Sequence, residues 1–570
     1  MRIALEPGPG SVPVGSRHPD GADRPDGTDR PGRWAGAARW QRLAEDGTPL
    51  AAAQPVPDLA AAVRAIEDDA RRGGEAVRWV WRSARTYRRL LRAGADVARC
   101  HDVELVEGLL VGAEGRSGEP HGIAAAAARL AGRPPAPDPA LEEDDDGAPP
   151  ALFAAQPADP DSDPLATLVA VHAGQQRRLD AFGPGLRLLA AAESAGALVA
   201  EEMTAHGLPW RADVHDRLLT ELLGPRPLPG GRPARLAALA DEIGVAFGRP
   251  VNPDSPAELL RAFARAGHEL ETTRAWVLRT IDHPAVGPLL AYKELARLHS
   301  AHGWSWLRTW VRDGRFRPEY VVGGVVSGRW ATRGGGALQI PRAVRAAVRA
   351  DPGWRLVVAD AAQLEPRILA ALAGDAGLAH AGNTGDGDLY AALAADLFGG
   401  DRARAKLALL SAMYGQTSGG AGVLLARLRR RFPAAVGYVE DAARAGEEGR
   451  LVRSHLGRTC PPARPGHEQP AAARARGRFT RNFVVQATAA EWALVLLAEL
   501  RHALRSTGSL AQLVFFQHDE VLLHCPAEVA GATAAAVQEA ADTAGRRLFG
   551  ASPVRFPMQV RVVGGYDEKQ

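Results

Sequence analysis

The segment FFQHDEVLLHC, residues 515–525, constrains this chain more than any other. LVFFQ at 513–517 and VLLHC at 521–525 are apolar runs of strand length with a short gap between them, which predicts an antiparallel hairpin. The tip carries His518, Asp519 and Glu520. A plain turn favours Gly, Asn or Pro there, and adjacent carboxylates repel unless a cation sits beside them. A second apolar run, WRLVVAD at 354–360, ends in Asp360, and a helical pattern follows almost at once. A third segment, 401–419, places Arg402, Lys406 and Tyr414 at spacings of four and eight. In a helix they fall within a sector of about 120° and spread along about 18 Å of axis. Each segment also has a plain structural reading. Asp360 could be an N-cap, 518–520 an acidic turn in solvent, and 402–414 a basic helix face with a buried tyrosine.

Basic and acidic residues nearly cancel, 69 against 66. The informative split is within the basic set, where 66 are Arg and three are Lys, at 293, 406 and 569. A compact ammonium kept at 406 in an arginine-dominated chain asks for a reason. Cys100, Cys460 and Cys525 stand far apart with no CxxC pair, so no zinc site or disulfide framework is expected. This fits a reducing compartment. No run of about 18 apolar residues predicts a membrane span, and the N-terminus lacks an apolar leader. The expected location is the cytoplasm, associated with the nucleoid.

A length of 570 residues suggests three or four structural units. Hydrophobic residues at 46% and charged residues at 24% exclude whole-chain disorder. Two breaks stand out. Residues 8–33 are rich in Gly, Pro and Asp and read as a mobile loop. Residues 132–164 hold many prolines and five consecutive carboxylates, Glu142 to Asp146, and read as a solvated insertion. GEAVRWVW at 74–81 reads as a strand, and helical patterns dominate 165–310. Further helices are predicted over 362–374, 387–398, 402–413, 423–448 and 487–505. The later half is therefore expected to be α+β, an antiparallel hairpin and one further strand among many helices.

Taken together, the three segments suggest chemistry. Two carboxylates on rigid elements can hold divalent cations through oxygen ligands, with a triphosphate completing the coordination. Cations on a facing helix would neutralise phosphate charge. Arg402 can grip phosphate bidentately, and Lys406 supplies a more strongly hydrated point charge.

These residues also carry a resemblance. R-x3-K-x7-Y-G at 402–415 resembles motif B of family A (polymerase I type) DNA polymerases, DAAQLEPR at 360–367 resembles motif A, and HDE at 518–520 resembles motif C. SGRWAT at 327–332 with LQIP at 338–341, GRLVRSHLGR at 449–458 and RFTRNFVVQATAAE at 478–491 follow in the family's order. ESAGALVAEEMTAHGLPW at 193–210 is similar to the start of its thumb. In particular the chain resembles the actinobacterial bifunctional 3′–5′ exonuclease/DNA polymerase group.

The resemblance implies a right-hand polymerase of palm, fingers and thumb behind a degenerate RNase H-like exonuclease domain. The expected boundaries are 1–185 exonuclease-like, 186–310 thumb, 311–383 palm, 384–465 fingers and 466–570 palm again. It implies Asp360 and Asp519 as ligands of two Mg²⁺ ions (Mn²⁺ as substitute), joined by the Ala361 carbonyl, with Glu520 supporting them. Arg402, Lys406 and Gln363 would meet the incoming dNTP, with Lys406 acting in catalysis. Tyr414 would sit near the templating base, and Glu365 would block a 2′-hydroxyl. Arg329, Arg478, Asn482, Gln486 and His518 would hold primer–template DNA. The stretch 470–482 has four Arg and no acid, as a phosphate-tracking surface needs. Such contacts position a duplex without reading its sequence. A monomer is expected.

The chain departs from the family pattern at Leu410, where an aromatic residue is usual, at Pro366 beside Glu365, and at Ala361 in place of tyrosine. In the N-terminal part only Glu6 remains of a first-strand D-x-E, Arg88 stands where an Asp is expected, and His172 and Gln176 replace a Tyr and an Asp. Asp102 matches a structural acid. Proofreading is therefore not expected, and no 5′ nuclease domain is expected before it. Two other readings remain. A non-catalytic DNA-binding protein derived from a polymerase is motivated by Leu410 and Pro366. A single-subunit RNA polymerase is opposed by Glu365. Trp304, Trp306 and Trp310 are expected to pack against the palm rather than stack on bases.

Overall fold

The computed structural model describes residues 1–7, 12–14, 33–35, 38–139, 163–228, 230–384, 387–415 and 421–569. The acidic run Glu142–Asp146, and most of both predicted breaks, lie outside the described residues. Within the first break, Val12–Val14 pairs antiparallel with Arg33–Ala35, where the sequence reading had only a loop.

The N-terminal region is built on a five-stranded mixed sheet. Its order is Gln54–Val56, Ala38–Leu43, Arg2–Pro7, Arg78–Trp81, Arg99–Asp102. The first three run antiparallel and the last two join in parallel. Ile3, Leu5, Trp79 and Trp81 turn into one core with the helix Leu59–Arg72. Burying each such side chain contributes roughly 1.5–3 kcal/mol. This mixed sheet agrees with the expected RNase H-like layout.

Asp163 caps the helix Pro164–Phe182 through Leu165 N–H, and Gly183 at φ 94° turns the chain into a second helix, Pro184–His206. Only glycine takes that backbone angle without steric cost. Helices Ala212–Leu223, Ala234–Ala246, Pro256–Arg265 and Val286–His302 then share a separate core around Leu219, Ile243, Phe263 and Leu289. At its base Trp304 and Trp306 are buried, while Trp310, expected to pack with them, is half-buried. Trp306 packs between Trp210 and Phe316 and donates to the Gly335 carbonyl at 2.7 Å. Trp304 donates to Asp216 at 2.9 Å.

The later half centres on a four-stranded antiparallel sheet in the order Gln512–Gln517, Glu520–Pro526, Trp354–Ala361, Met558–Val563. The last strand was not foreseen, because its exposed and buried positions do not alternate cleanly. Helix Leu364–Ala373 leaves the sheet directly after Ala361, and Pro366 lies in its first turn without breaking it. The long helix predicted over 423–448 is two helices, Ala421–Arg431 and Pro433–Glu447. Pro433 has no N–H for the preceding turn, so the chain restarts there as a new N-terminus. Conversely, the helix predicted at 487–505 runs from Pro470 to Ser506. By length and composition this helix could cross a membrane, yet 83% of its apolar window is buried inside the protein. Its side chains Phe483, Trp492, Leu496 and Leu500 belong to the main core.

Candidate active site

The sheet register brings the predicted acids together. Asp360, near the end of its strand, lies opposite Glu520 on one side and Gln559 on the other. The next residue, Ala361, donates its N–H to the Asp519 carbonyl at 3.0 Å. The hairpin tip is only two residues long, since Gln517 pairs with Glu520. His518 there has φ 60°, and Gln363, which precedes the helix after Ala361, has φ 48°. Both are left-handed without being glycine, at about 1–2 kcal/mol each. The sheet and helix on either side hold the strain, and it sets the direction of the two acidic corners.

Burial, and then the neighbouring Asp360, push the Asp519 carboxyl up to about 7, with Arg329 opposing. A carboxyl raised by burial and by a neighbouring carboxylate is what a divalent cation would relieve. Glu520 is buried and lies beside Tyr566, whose hydroxyl is pushed up by burial and then by Glu520. Among the described residues no group of three or more His, Cys, Asp or Glu side chains is arranged to hold a metal. The ligand set expected from the sequence, Asp360, Asp519 and the Ala361 carbonyl, meets at this corner of the sheet, and a divalent ion there would be held by two carboxylates and one carbonyl. Further oxygen ligands would have to come from a substrate or water, which suits Mg²⁺.

One cavity is lined by Arg329, Trp330, Glu365, Phe516, His518 and Asp519. Within it Glu365 is pinned from two sides. Arg329 forms an ion pair with one of its oxygens, and the Tyr414 hydroxyl donates to the other at 2.9 Å. Burial, then Glu365, push the Tyr414 hydroxyl up to about 12, so it stays a donor. Arg329, expected on DNA, is thus shared with Glu365.

The cationic stripe stands on helix Arg402–Tyr414, which Asp401 caps through Arg404 N–H. Arg402 and Lys406 both face the Tyr390 ring, at 5.5 and 6.0 Å from its centroid. Arg402 also donates to Asp388 at 2.8 Å. Gln363 is tied into the same corner. Its amide approaches Asp388 at 3.5 Å, and its oxygen accepts from Arg367 at 3.3 Å. Leu410 is half-buried against the main core. On the long helix Arg478, Asn482 and Gln486 share one face at four-residue spacing. Arg478 is exposed, and Asn482 Oδ1 is buried without a hydrogen-bond partner among the described residues.

Three site residues escaped the sequence reading: Asp388, Tyr390 and Arg367. The first two lie at a helix start whose Asp N-cap is a visible signal, but nothing there announces the stripe packed against it. Arg367 closes the segment DAAQLEPR. It is 1% exposed and donates to the carbonyls of Ala362, Gly382, Gly387 and Arg555.

In the N-terminal sheet Glu6 ends its strand near Arg82 and Asp163, its carboxyl raised by burial. Arg88 forms a two-point ion pair with Glu201, at 2.7 and 3.1 Å. His172 and Gln176 are buried, His172 edge-on to His101 and Gln176 accepting from Arg187 at 2.9 Å. Asp102 caps the helix Val103–Ala113 through Leu105 N–H at 3.1 Å, a structural acid as expected.

The comparisons with known proteins agree with this layout. Residues 232–567 match the model for DNA polymerase family A, more than half of the chain. DNA polymerase I of Chloroflexus aurantiacus is 29% identical over 336 residues, which is 51% of this chain and 35% of that protein. The thermostable DNA polymerase I of Thermus filiformis is 27% identical over 311 residues, 50% of this chain and 36% of that protein. The match therefore spans about a third of these relatives. In fold, the polymerase domain of Pol1 from M. smegmatis, solved with DNA primer–template and dNTP, superposes with a TM-score of 0.71 at 20% identity. That likeness covers 94% of this chain and 93% of the other. The chain is a member of DNA polymerase family A.

Proposed function

We propose that the protein is a template-directed DNA polymerase, adding dNMP from dNTP to a primer 3′-hydroxyl in replication or repair. The observation that carries this reading is the meeting of Asp360 and Asp519 at one end of the central sheet, beside the Arg329–Glu365–Tyr414 cluster. In the reaction the primer 3′-hydroxyl gives up its proton to water as its oxygen bonds to the α-phosphorus, the bond from that phosphorus to the α–β bridging oxygen breaks, and pyrophosphate leaves. Two Mg²⁺ ions, held by Asp360, Asp519 and the Ala361 carbonyl with Glu520 behind them, would supply charge stabilisation at the attacking and leaving oxygens. The chain's own part is positioning and electrostatics. Arg402 and Lys406 draw in the triphosphate, with Gln363 beside them. Glu365, fixed by Arg329 and Tyr414, closes the space a 2′-hydroxyl would need, and Tyr414 borders the templating base. Arg329, Arg478, Asn482, Gln486 and His518 hold the primer–template.

The boundaries given above for exonuclease-like region, thumb, palm and fingers are part of this proposal, as are a monomeric state and a cytoplasmic, nucleoid-associated location. So is the lack of proofreading. Arg88 is spent on Glu201, and His172 and Gln176 are buried, so the positions expected to give two carboxylates and a tyrosine to a two-metal nuclease hold none of them. Pro366 in an unbroken helix removes one ground for a merely DNA-binding role.

Primer extension with Mg²⁺ and four dNTPs tests the reading. The wild type should extend, and Asp360→Asn or Asp519→Asn should each slow single-turnover addition by about 10²–10³-fold or more. Full activity in either variant would remove the assignment. A labelled single strand incubated without dNTPs should stay intact.

A further inference from the structure

Arg402 is not waiting empty. Its Nε donates to Asp388 Oδ2 at 2.8 Å while its guanidinium carbon lies 5.5 Å from the centroid of the Tyr390 ring. The two oxygens of Asp388 do different jobs. Oδ1 accepts from the N–H groups of Tyr390 at 3.0 Å and Ala391 at 3.1 Å, capping the helix Leu389–Leu397, while Oδ2 takes Arg402. The capping oxygen anchors the carboxylate, so it can release Arg402 without moving. The Tyr390 ring is buried, so it stays in place as the surface on which both Arg402 and Lys406 rest. Arg402 itself is half exposed, open to exchange of partner.

We propose that Asp388 is a placeholder for the triphosphate, holding Arg402 on the Tyr390 ring until the phosphates of an incoming nucleotide displace it. This rests on the polymerase reading. A triphosphate carries several charges and offers bidentate acceptors, so it outcompetes one carboxylate oxygen. A weakly charged anion does not. Asp388 thereby offsets the Arg402 charge between turnovers, and Tyr390 keeps the guanidinium from wandering when its partner changes. Both are positioning residues, acting through Arg402.

The test titrates dNTP into the full-length protein bound to primer–template with a dideoxy 3′ end and Mg²⁺. Asparagine caps helices as well as aspartate, so Asp388→Asn removes the competing charge and keeps the helix start. It should tighten dNTP binding by about two- to five-fold, the size of an exposed ion pair. The gain should vanish in an Arg402→Ala background, where nothing remains to be released. Tyr390→Leu, which removes the ring, should bind more weakly. Unchanged or weaker binding in Asp388→Asn, or an equal gain without Arg402, would overturn the proposal. If the wild type extends primers while Asp388→Asn binds unchanged, only the placeholder fails. If the wild type does not extend primers, the polymerase reading itself fails.

Discussion

Glu365 shows how a single side chain depends on its neighbours. It is long and flexible, and the gating role proposed for it requires its position to be fixed. Arg329 and Tyr414 supply that fixation from opposite oxygens. Glu365→Ala should raise ribonucleotide incorporation relative to dNTP by about 10-fold or more, because a lost clash and a lost hydrogen bond each change discrimination on that scale. Tyr414→Phe, which removes one of the two holds, should move selectivity in the same direction by less. Both are read from competing rNTP and dNTP incorporation. A second residue reports on the core. Glu491 on the long helix is fully buried, and burial raises its carboxyl to about 7 against the hydrogen bonds from Ser454 and Leu456 N–H. The folded state therefore favours the protonated form. Its contribution is complete below the ordinary glutamate range and is lost as pH rises through about 7, at about 1.4 kcal/mol per unit. Melting curves of Glu491→Gln should gain on the wild type from pH 5 to pH 8. A constant difference across that range would refute the buried-acid account.

At the scale of elements, the hairpin at 513–525 and the strand ending in Asp360 were legible, because unbroken apolar runs ending in acids have few other uses. What was not legible arose from contacts distant in sequence. Strand Met558–Val563 shows half-exposed positions and depends on register with Leu356–Ala361 rather than on its own pattern. The break at Pro433 was visible as a proline, yet the apolar spacing on both sides continued through it. Asp388 and Tyr390 could be read as a helix start, but that Arg402 would lie against them is a packing outcome. Arg367 is the clearest case. Buried, with no carboxylate bonded to it among the described residues, it ties Ala362, just after the strand Trp354–Ala361, to Gly382, Gly387 and Arg555. Arg367→Met should leave several buried carbonyls unpaired and cost at least about 3 kcal/mol in urea unfolding. A cost below about 1 kcal/mol would show that these bonds do not hold the helix start in place.

Across the whole molecule, a buried ionic cluster joins the N-terminal sheet region to the polymerase body. Arg501, on the long helix, pairs with Glu202 on helix Pro184–His206 and donates to the Ala98 carbonyl at 2.7 Å and to Val97. Tyr87 donates to the same Glu202, and Arg88 one residue on pairs with Glu201. A position where a nuclease would need a carboxylate thus serves as an attachment. Arg501→Ala leaves the half-buried Glu202 without its cation, a loss of about 3 kcal/mol. The N-terminal region should then become protease-sensitive before the rest, and unchanged digestion would show that it is held by its apolar contacts instead. The account as a whole depends on where divalent ions sit. The most direct measurement is anomalous diffraction from a crystal of the protein with primer–template, dNTP and Mn²⁺. The account predicts manganese peaks bridging the carboxylates of Asp360 and Asp519 and the triphosphate. Manganese bound elsewhere, with those two carboxylates bare, would contradict it.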